Sequence, residues 1–370
     1  CYTSYIIWKV GEHMAQSISI GKQDFASLRE NHYFYVDKTD FIRQWWESGD
    51  DITLITRPRR FGKTLNMSML NCFFSRQYAE KGTIFEGLSI WKQEKYRRLQ
   101  GTYPVIFLSF ADVKQNNYQD AVQKIKNIIV DAYRQHRYLE QEECFTQNEK
   151  QQMLEITEKM SNVTAQDALK NLSSYLNLLY GKKVLIFLDE YDTPMQEAYI
   201  HGYWDEFAGF MRSLFNATFK TNPYLERAVM TGITRISKES VFSDLNNLTV
   251  ITTTSDAYAD CFGFTEEEVF QSLDQFGMPE KKDLNVLIGT NIRQAREAAG
   301  FTQEKFSEMI GIGPKSLSAI ERGTVGISLA ALKRVCSTLS VSSDSIIFGR
   351  TEENDVSALT ARLALLTEEE

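Results

Sequence analysis

Arg57-Pro-Arg-Arg-Phe-Gly-Lys-Thr64 sets a glycine, a lysine and a hydroxyl in consecutive positions, an order suited to holding phosphate. It matches the pattern G-x-x-x-x-G-K-[ST] except that Arg57 stands at the first glycine. In that pattern, loop N–H groups and the positive end of the following helix wrap the phosphates. Lys63 then reaches the β/γ oxygens and the Thr64 hydroxyl ligates Mg²⁺. Gly62 admits close backbone approach, whereas the first glycine only eases entry to the loop, so its loss weakens the match without abolishing it. Arg59, Arg60, Phe61, Gly62, Lys63, Thr64 and Leu65 form the expected nucleotide-binding set. An ordinary turn or a decayed loop is the competing reading. Asp189-Glu190 supplies a second element. A carboxylate at Asp189 can hold Mg²⁺, and Glu190 beside it can orient and polarise an attacking water. Two acids opening a surface loop is the alternative. Further along, Thr231 is the choice for a polar residue sensing the γ-phosphate. Arg235 reads equally as an arginine finger or sensor and as a plain surface arginine.

These groups work only if strands and helices carry them to one place. Asp51-Ile-Thr-Leu-Ile-Thr56 reads as a strand stopped at Arg57-Pro58. After Gly62, Leu65, Met69, Leu70 and Phe73 recur at helical spacing. Val105 to Phe110 is a second strand, followed by helical sequence from about Tyr118 to Tyr180, with polar breaks near Gln141–Glu149 and Ser161–Thr164. Lys183 to Asp189 is apolar between its charged end residues, as suits a strand covered on both faces. A helix at about Tyr203 to Lys220, a strand at Arg227 to Ile233 and a last strand at Leu248 to Thr253 complete the pattern. Alternating strands and helices imply an α/β parallel sheet. The strand between the two motifs points to the ASCE type of P-loop NTPase, which has an additional central strand.

The chain has 370 residues, enough for two or three domains, with 43% hydrophobic and 24% charged residues. No apolar run approaches the ~20 residues of a membrane span, and Cys1 to Val10 does not read as a secretory signal. A soluble, cytoplasmic protein is expected. The cysteines (1, 72, 144, 261, 336) and histidines (13, 32, 136, 201) are dispersed, which disfavours a disulfide framework and a zinc site. Net charge is −8, but Leu284 to Arg350 carries eight Lys/Arg against five acids, so this segment is +3 and the rest −11. A small basic module joined to a larger acidic one is implied.

The motifs Ile20-Gly-Lys-Gln-Asp-Phe-Ala-Ser-Leu-Arg29, Tyr33 to Thr39, Thr53 to Leu65, Leu188-Asp-Glu-Tyr-Asp-Thr-Pro194, and Ser237 to Ser240 through Asn246 to Leu248 resemble the bacterial AAA-ATPase-like family over roughly residues 17 to 270. Arginine at the first P-loop position belongs to that family's pattern. The resemblance implies bound ATP and Mg²⁺, with Asp37-Lys38-Thr39 near the nucleotide. Members usually continue into a lid and a PD-(D/E)XK nuclease. No spaced Asp…Glu-x-Lys on a strand follows Val269, so nuclease activity is not predicted, and the missing lid weighs against efficient turnover.

From Leu284 onward the pattern is all-helical. Ile288 to Ala299 forms a helix ended by Gly300, Thr302 caps Gln303 to Ile310, Gly311-Ile-Gly313 turns, and Pro314 opens a helix closed at Arg322-Gly323. Ser328 caps a fourth helix to Leu339. Thr302-Gln303…Gly311…Leu317 to Gly323 resembles the lambda-repressor-like (Cro/Xre) helix-turn-helix family. The resemblance implies double-stranded DNA as partner, with Pro314, Lys315, Ser316 and Ser318 at base edges and Gln303 on the backbone. It also implies a structural salt bridge between Arg296 and Glu321. A protein-interaction or dimerisation unit is the alternative.

The expected organisation is an extension (1–16), a P-loop domain (17–270), a linker (271–283), the helix-turn-helix domain (284–349) and an acidic tail (350–370). The expected function is ATP-dependent DNA binding with slow hydrolysis, in transcriptional control or a mobile-element or defence system, with homo-oligomers supplying the phosphate contacts that a +3 module lacks. The rivals are a repressor with an inert nucleotide-binding domain, and two modules that do not communicate.

Overall fold

A computed structural model describes residues 17–19, 21–233, 242, 245–276 and 281–348. The described residues divide into two compact units between Thr265 and Glu266.

Five short strands build the first unit: β1 (Ile52–Thr56), β2 (Val105–Ser109), β3 (Val184–Asp189), β4 (Leu225–Gly232) and β5 (Leu248–Ile251). All pair in parallel, in the order β2-β3-β4-β1-β5. The strand that precedes β3 in sequence, β2, lies at an edge. The one that separates β1 from β3 in space is β4. Every residue of β1 and β3 is buried, because helices cover both faces. The side-chain period of two divides them. Ile52, Leu54, Ile186, Leu188, Ala228 and Met230 enter one core with α5 (Tyr118–Gln135), α7 (Asn162–Tyr180) and α9 (Trp204–Phe215). Ile55, Leu185, Phe187 and Val229 enter another with α1 (Phe25–Glu30), α2 (Asp40–Ser48) and α3 (Lys63–Phe74).

Local chemistry sets the helix ends. Asn117 caps α5, Ser161 caps α7, and Thr146 with Glu149 forms a reciprocal capping box on α6 (Gln147–Leu154). The polar breaks at Gln141–Glu149 and Ser161–Thr164 are thus helix starts. Between α3 and β2, two 3₁₀ segments and the short α4 (Glu94–Arg97) bury Phe85, Ile90 and Tyr96. The short helix α8 (Thr193–Ile200) follows β3.

The second unit contains α10 (Glu266–Gln275), α11 (Lys281–Ala298), α12 (Gln303–Met309), α13 (Pro314–Glu321), α14 (Leu329–Leu339) and α15 (Ser343–Phe348). Ile292, Phe306, Ile310, Leu317, Ile320, Leu332, Val335 and Ile346 form its core. Helix α11 starts well before the expected Ile288, and the segment read as linker is helical at both ends. The reason is tertiary. A Cβ on Gly323 would lie 2.5 Å from Val286 Cα, and one on Gly289 would lie 2.2 Å from the Ile320 carbonyl oxygen, so the early turns of α11 pack directly on the end of α13. No helix among the described residues is long and apolar enough to cross a membrane.

Candidate nucleotide site and nucleic-acid interface

Strand β1 delivers the chain to Arg57, and α3 begins at Lys63 with Gly62 as its cap. Gly62 takes φ +77° and Arg60 φ +67°, so the loop turns twice through the left-handed region before the helix starts. Arg59, Arg60, Phe61 and Gly62 are exposed, Thr64 and Leu65 half-buried, and Lys63 only 7% exposed. Lys63 Nζ donates to the carbonyls of Arg57 (2.9 Å) and Pro58 (2.8 Å). An ammonium has three N–H donors, and the third has no acceptor among the described residues. Burial lowers the Lys63 pKa, while Asp189, Glu190 and Asp192 act in the opposite direction. The two motifs, far apart in sequence, therefore sit within electrostatic reach of each other.

The strand order explains the meeting. Parallel pairing sets Thr231 of β4 beside Ile55 of β1, and Met230 beside Leu188 of β3, so three strand ends open on the same edge. The buried Thr231 hydroxyl donates to Asp189 Oδ1 and accepts from the Glu190 N–H at 3.4 Å. It is thus engaged with the Asp189-Glu190 pair. Its neighbour Gly232 leaves no room for a side chain, since a Cβ there would lie 2.6 Å from the Tyr191 ring and 2.7 Å from Asp192 Oδ1. Arg235 lies outside the described residues.

Mg²⁺ takes hard oxygen ligands and usually few of them from protein. The Thr64 hydroxyl and the second carboxylate oxygen of Asp189 have no hydrogen-bond partner among the described residues. That pair of donors fits such an ion.

Several residues outside the motifs brace the loop. Arg57 is buried with its guanidinium 5.6 Å from the Phe262 ring centre, and burial lowers its pKa. The stretch carrying Phe262 is bound three times: Lys38 Nζ to the Asp260 carbonyl (2.7 Å), Asn66 Nδ2 to the Cys261 carbonyl (2.8 Å) and Gly263 N to the Phe61 carbonyl (3.1 Å). Asp37 accepts from Thr39 N and Oγ1 and from Ser89 N, which clasps the chain just before α2 to the irregular segment after α3. Asp37-Lys38-Thr39 therefore reaches the loop through the 260–263 stretch. Nothing in the local sequence around Asn66 or Phe262 signals these contacts.

In the second unit, α12, the Gly311–Gly313 turn and α13 form the two-helix arrangement. Pro314, Lys315 and Ser316 are exposed at the start of α13 and Ser318 is half-buried behind them. Arg296 and Glu321 pair as the resemblance implied, Nε to Oε1 at 2.7 Å and Nη2 to Oε2 at 3.1 Å, both buried. The Glu321 hydrogen bond is the first cause of the raised Arg296 pKa. Gln303 is placed differently from a free backbone clamp: its Nε2 donates to Glu321 Oε2 at 2.7 Å, which ties the start of α12 to α13.

A strand–loop–helix carrying Lys63 and Thr64, facing carboxylates at the end of β3 across an intervening strand, defines an α/β NTPase-like domain, here followed by an all-helical helix-turn-helix domain. The chain belongs to the family described as predicted AAA-ATPase, whose model matches residues 19–242. A helix-turn-helix family model matches residues 292–346. The chain is also 28% identical over 256 residues to a protein of Azotobacter chroococcum mcd 1 described as "Uncharacterized protein in vnfD 5'region". The match covers 69% of this chain and 44% of that protein, so the chain spans less than half the length of this relative.

Proposed function

We propose that this protein is a DNA-binding regulator whose α/β domain binds ATP with Mg²⁺ and hydrolyses it slowly, acting in the cytoplasm. The observation that supports this most is the hydrogen-bonded Asp189–Thr231–Glu190 set beside the buried Lys63. Lys63 and the N–H groups of residues 59–65 bind the phosphates, with Arg59 and Arg60 adding positive charge at the loop surface. Thr64 and Asp189 would hold Mg²⁺, which when bound offsets charge on the β and γ oxygens. Glu190 orients water against the γ-phosphorus. The water oxygen bonds to phosphorus as the bond to the ADP oxygen breaks, ADP leaves with the electron pair, and the water proton passes to Glu190 and on to the phosphate. Thr231 keeps the carboxylate pair in place, and an arginine finger or sensor is the role proposed for Arg235.

Helix α13 would enter the major groove with Pro314, Lys315, Ser316 and Ser318 toward base edges, and Gln303 would hold α12 against it at the backbone. A +3 module releases few counterions by itself, so useful affinity requires a homo-oligomer. A transcriptional role or one in a mobile-element or defence system suits these parts.

The test is ATP turnover by the full chain, with and without mixed duplex DNA, against Lys63→Ala. Turnover that the substitution abolishes and DNA raises is expected. Turnover no higher than that of Lys63→Ala in both conditions refutes the ATPase and leaves a helix-turn-helix repressor with an inert nucleotide domain.

A further inference from the structure

Glu190 takes φ +52°, in the left-handed region that a side-chain-bearing residue seldom occupies. Three contacts hold its backbone there. Its N–H donates to Thr231 Oγ1, the next N–H, of Tyr191, donates to the Thr231 carbonyl at 3.0 Å, and its own carbonyl accepts from Thr193 N at 3.2 Å. Strand β4 thus fixes the residue from one side and the first residue of α8 from the other. A fixed backbone still leaves the carboxylate free to swing about its side-chain torsions.

One further contact removes that freedom. Thr193 Oγ1 donates to Glu190 Oε2 at 3.0 Å. The neighbouring carboxylate, Asp192, is tied elsewhere, to Ile233 N at 2.9 Å and Gln196 Nε2 at 2.8 Å. Glu190 Oε1 has no protein partner among the described residues, and Lys63 feels the charge of this carboxylate.

We propose that Thr193 is a positioning residue for ATP hydrolysis, its hydroxyl holding Oε2 of Glu190 so that Oε1 stays directed at the attacking water; the inference rests on the ATPase reading above. Both of these Thr193 contacts, from Oγ1 and from N, go to Glu190, so the residue acts through that carboxylate, on the rate of the chemical step and not on binding. Misplacing a reacting group by about 1 Å costs on the order of a hundredfold in rate.

The experiment compares the full-length parent, Lys63→Ala, Thr193→Val and Thr193→Ser for kcat and KM with ATP, and for affinity toward a non-hydrolysable ATP analogue. Valine keeps the shape and loses the hydroxyl, and serine keeps the hydroxyl. We expect Thr193→Val to lower kcat by about ten- to a hundredfold while KM and analogue affinity stay close to the parent's, and Thr193→Ser to recover most of the loss. Analogue binding also shows that each Thr193 variant is folded. A Thr193→Val variant as fast as the parent, or faster, overturns the proposal, as does a serine variant as slow as valine. A parent that turns over no faster than Lys63→Ala overturns the ATPase reading and this inference with it, a result distinct from failure at Thr193 alone.

Discussion

Replacing Glu321 by alanine strands a charge. The side chains of Arg296 and Glu321 are 7% and 2% exposed, and their two contacts are joined by Gln303 on Glu321 Oε2 and by Arg296 Nη1 on the Phe301 carbonyl at 2.8 Å. In Glu321→Ala, Arg296 keeps the Phe301 carbonyl and the half-exposed Glu297, 3.3 Å away, and loses its bidentate partner. Breaking a buried pair in this way costs about 3–5 kcal/mol, since the remaining charge stays desolvated. A helical unit of this size is stable by only about 3–10 kcal/mol, so the loss removes much or all of its stability. The readout is native-state hydrogen exchange of the full chain. Amides of α11 to α13 should lose protection by about 10²- to 10³-fold or more, while those of the β-sheet unit stay unchanged. The double variant Arg296→Met with Glu321→Leu should regain most of the protection, because an apolar pair of similar volume replaces the ion pair at little net cost. Protection in Glu321→Ala within about tenfold of the parent would refute the reasoning, as would a double variant less protected than the single one.

Two glycine substitutions should move stability in opposite directions. In an exposed helical position, Gly→Ala stabilises by about 1 kcal/mol. A Cβ at Gly209 in α9 meets nothing within 4 Å, so Gly209→Ala should raise the urea midpoint of the first unit. At Gly289 the same change drives a methyl to 2.2 Å from the Ile320 carbonyl and should destabilise the second unit by about 1–3 kcal/mol, seen as lost hydrogen-exchange protection in α11 and α13. The buried His136 has its pKa lowered to about 4 by desolvation. The unfolded chain therefore binds more protons between about pH 6.5 and 4, and the stability that neutral His136 carries above that window, about 3 kcal/mol, is lost as pH falls through it. Trp45, Trp46, Trp91 and Trp204 lie in the first unit and no tryptophan follows residue 265, so fluorescence follows that unit in urea. Its acid-side loss should be smaller in His136→Gln, and identical pH profiles would contradict the assignment.

The phosphate loop, the carboxylate pair and the turn between α12 and α13 were readable because each is local. A strand, a stop at Arg57-Pro58 and the start of a helix lie within one short stretch, and a run of buried apolar residues ends at Asp189 wherever that strand sits. The Arg296–Glu321 pair came from likeness to a family, and its geometry agrees. Other features depend on residues that meet only after folding. That β4 lies between β1 and β3 follows from long-range strand pairing, and no local pattern in Leu225–Gly232 encodes its neighbours. Lys281-Lys282-Asp283 reads as the end of a linker because its residues are charged, yet α11 starts there, and its early turns pack at Val286 under Gly323. Gln303 has the same sequence whether it faces solvent or Glu321. Amino-acid type and spacing determined which groups could bind phosphate or enter a groove. Tertiary packing decided which of those groups are tied to one another, since hydrogen bonds such as Thr231 to Asp189 join residues that the backbone alone keeps far apart.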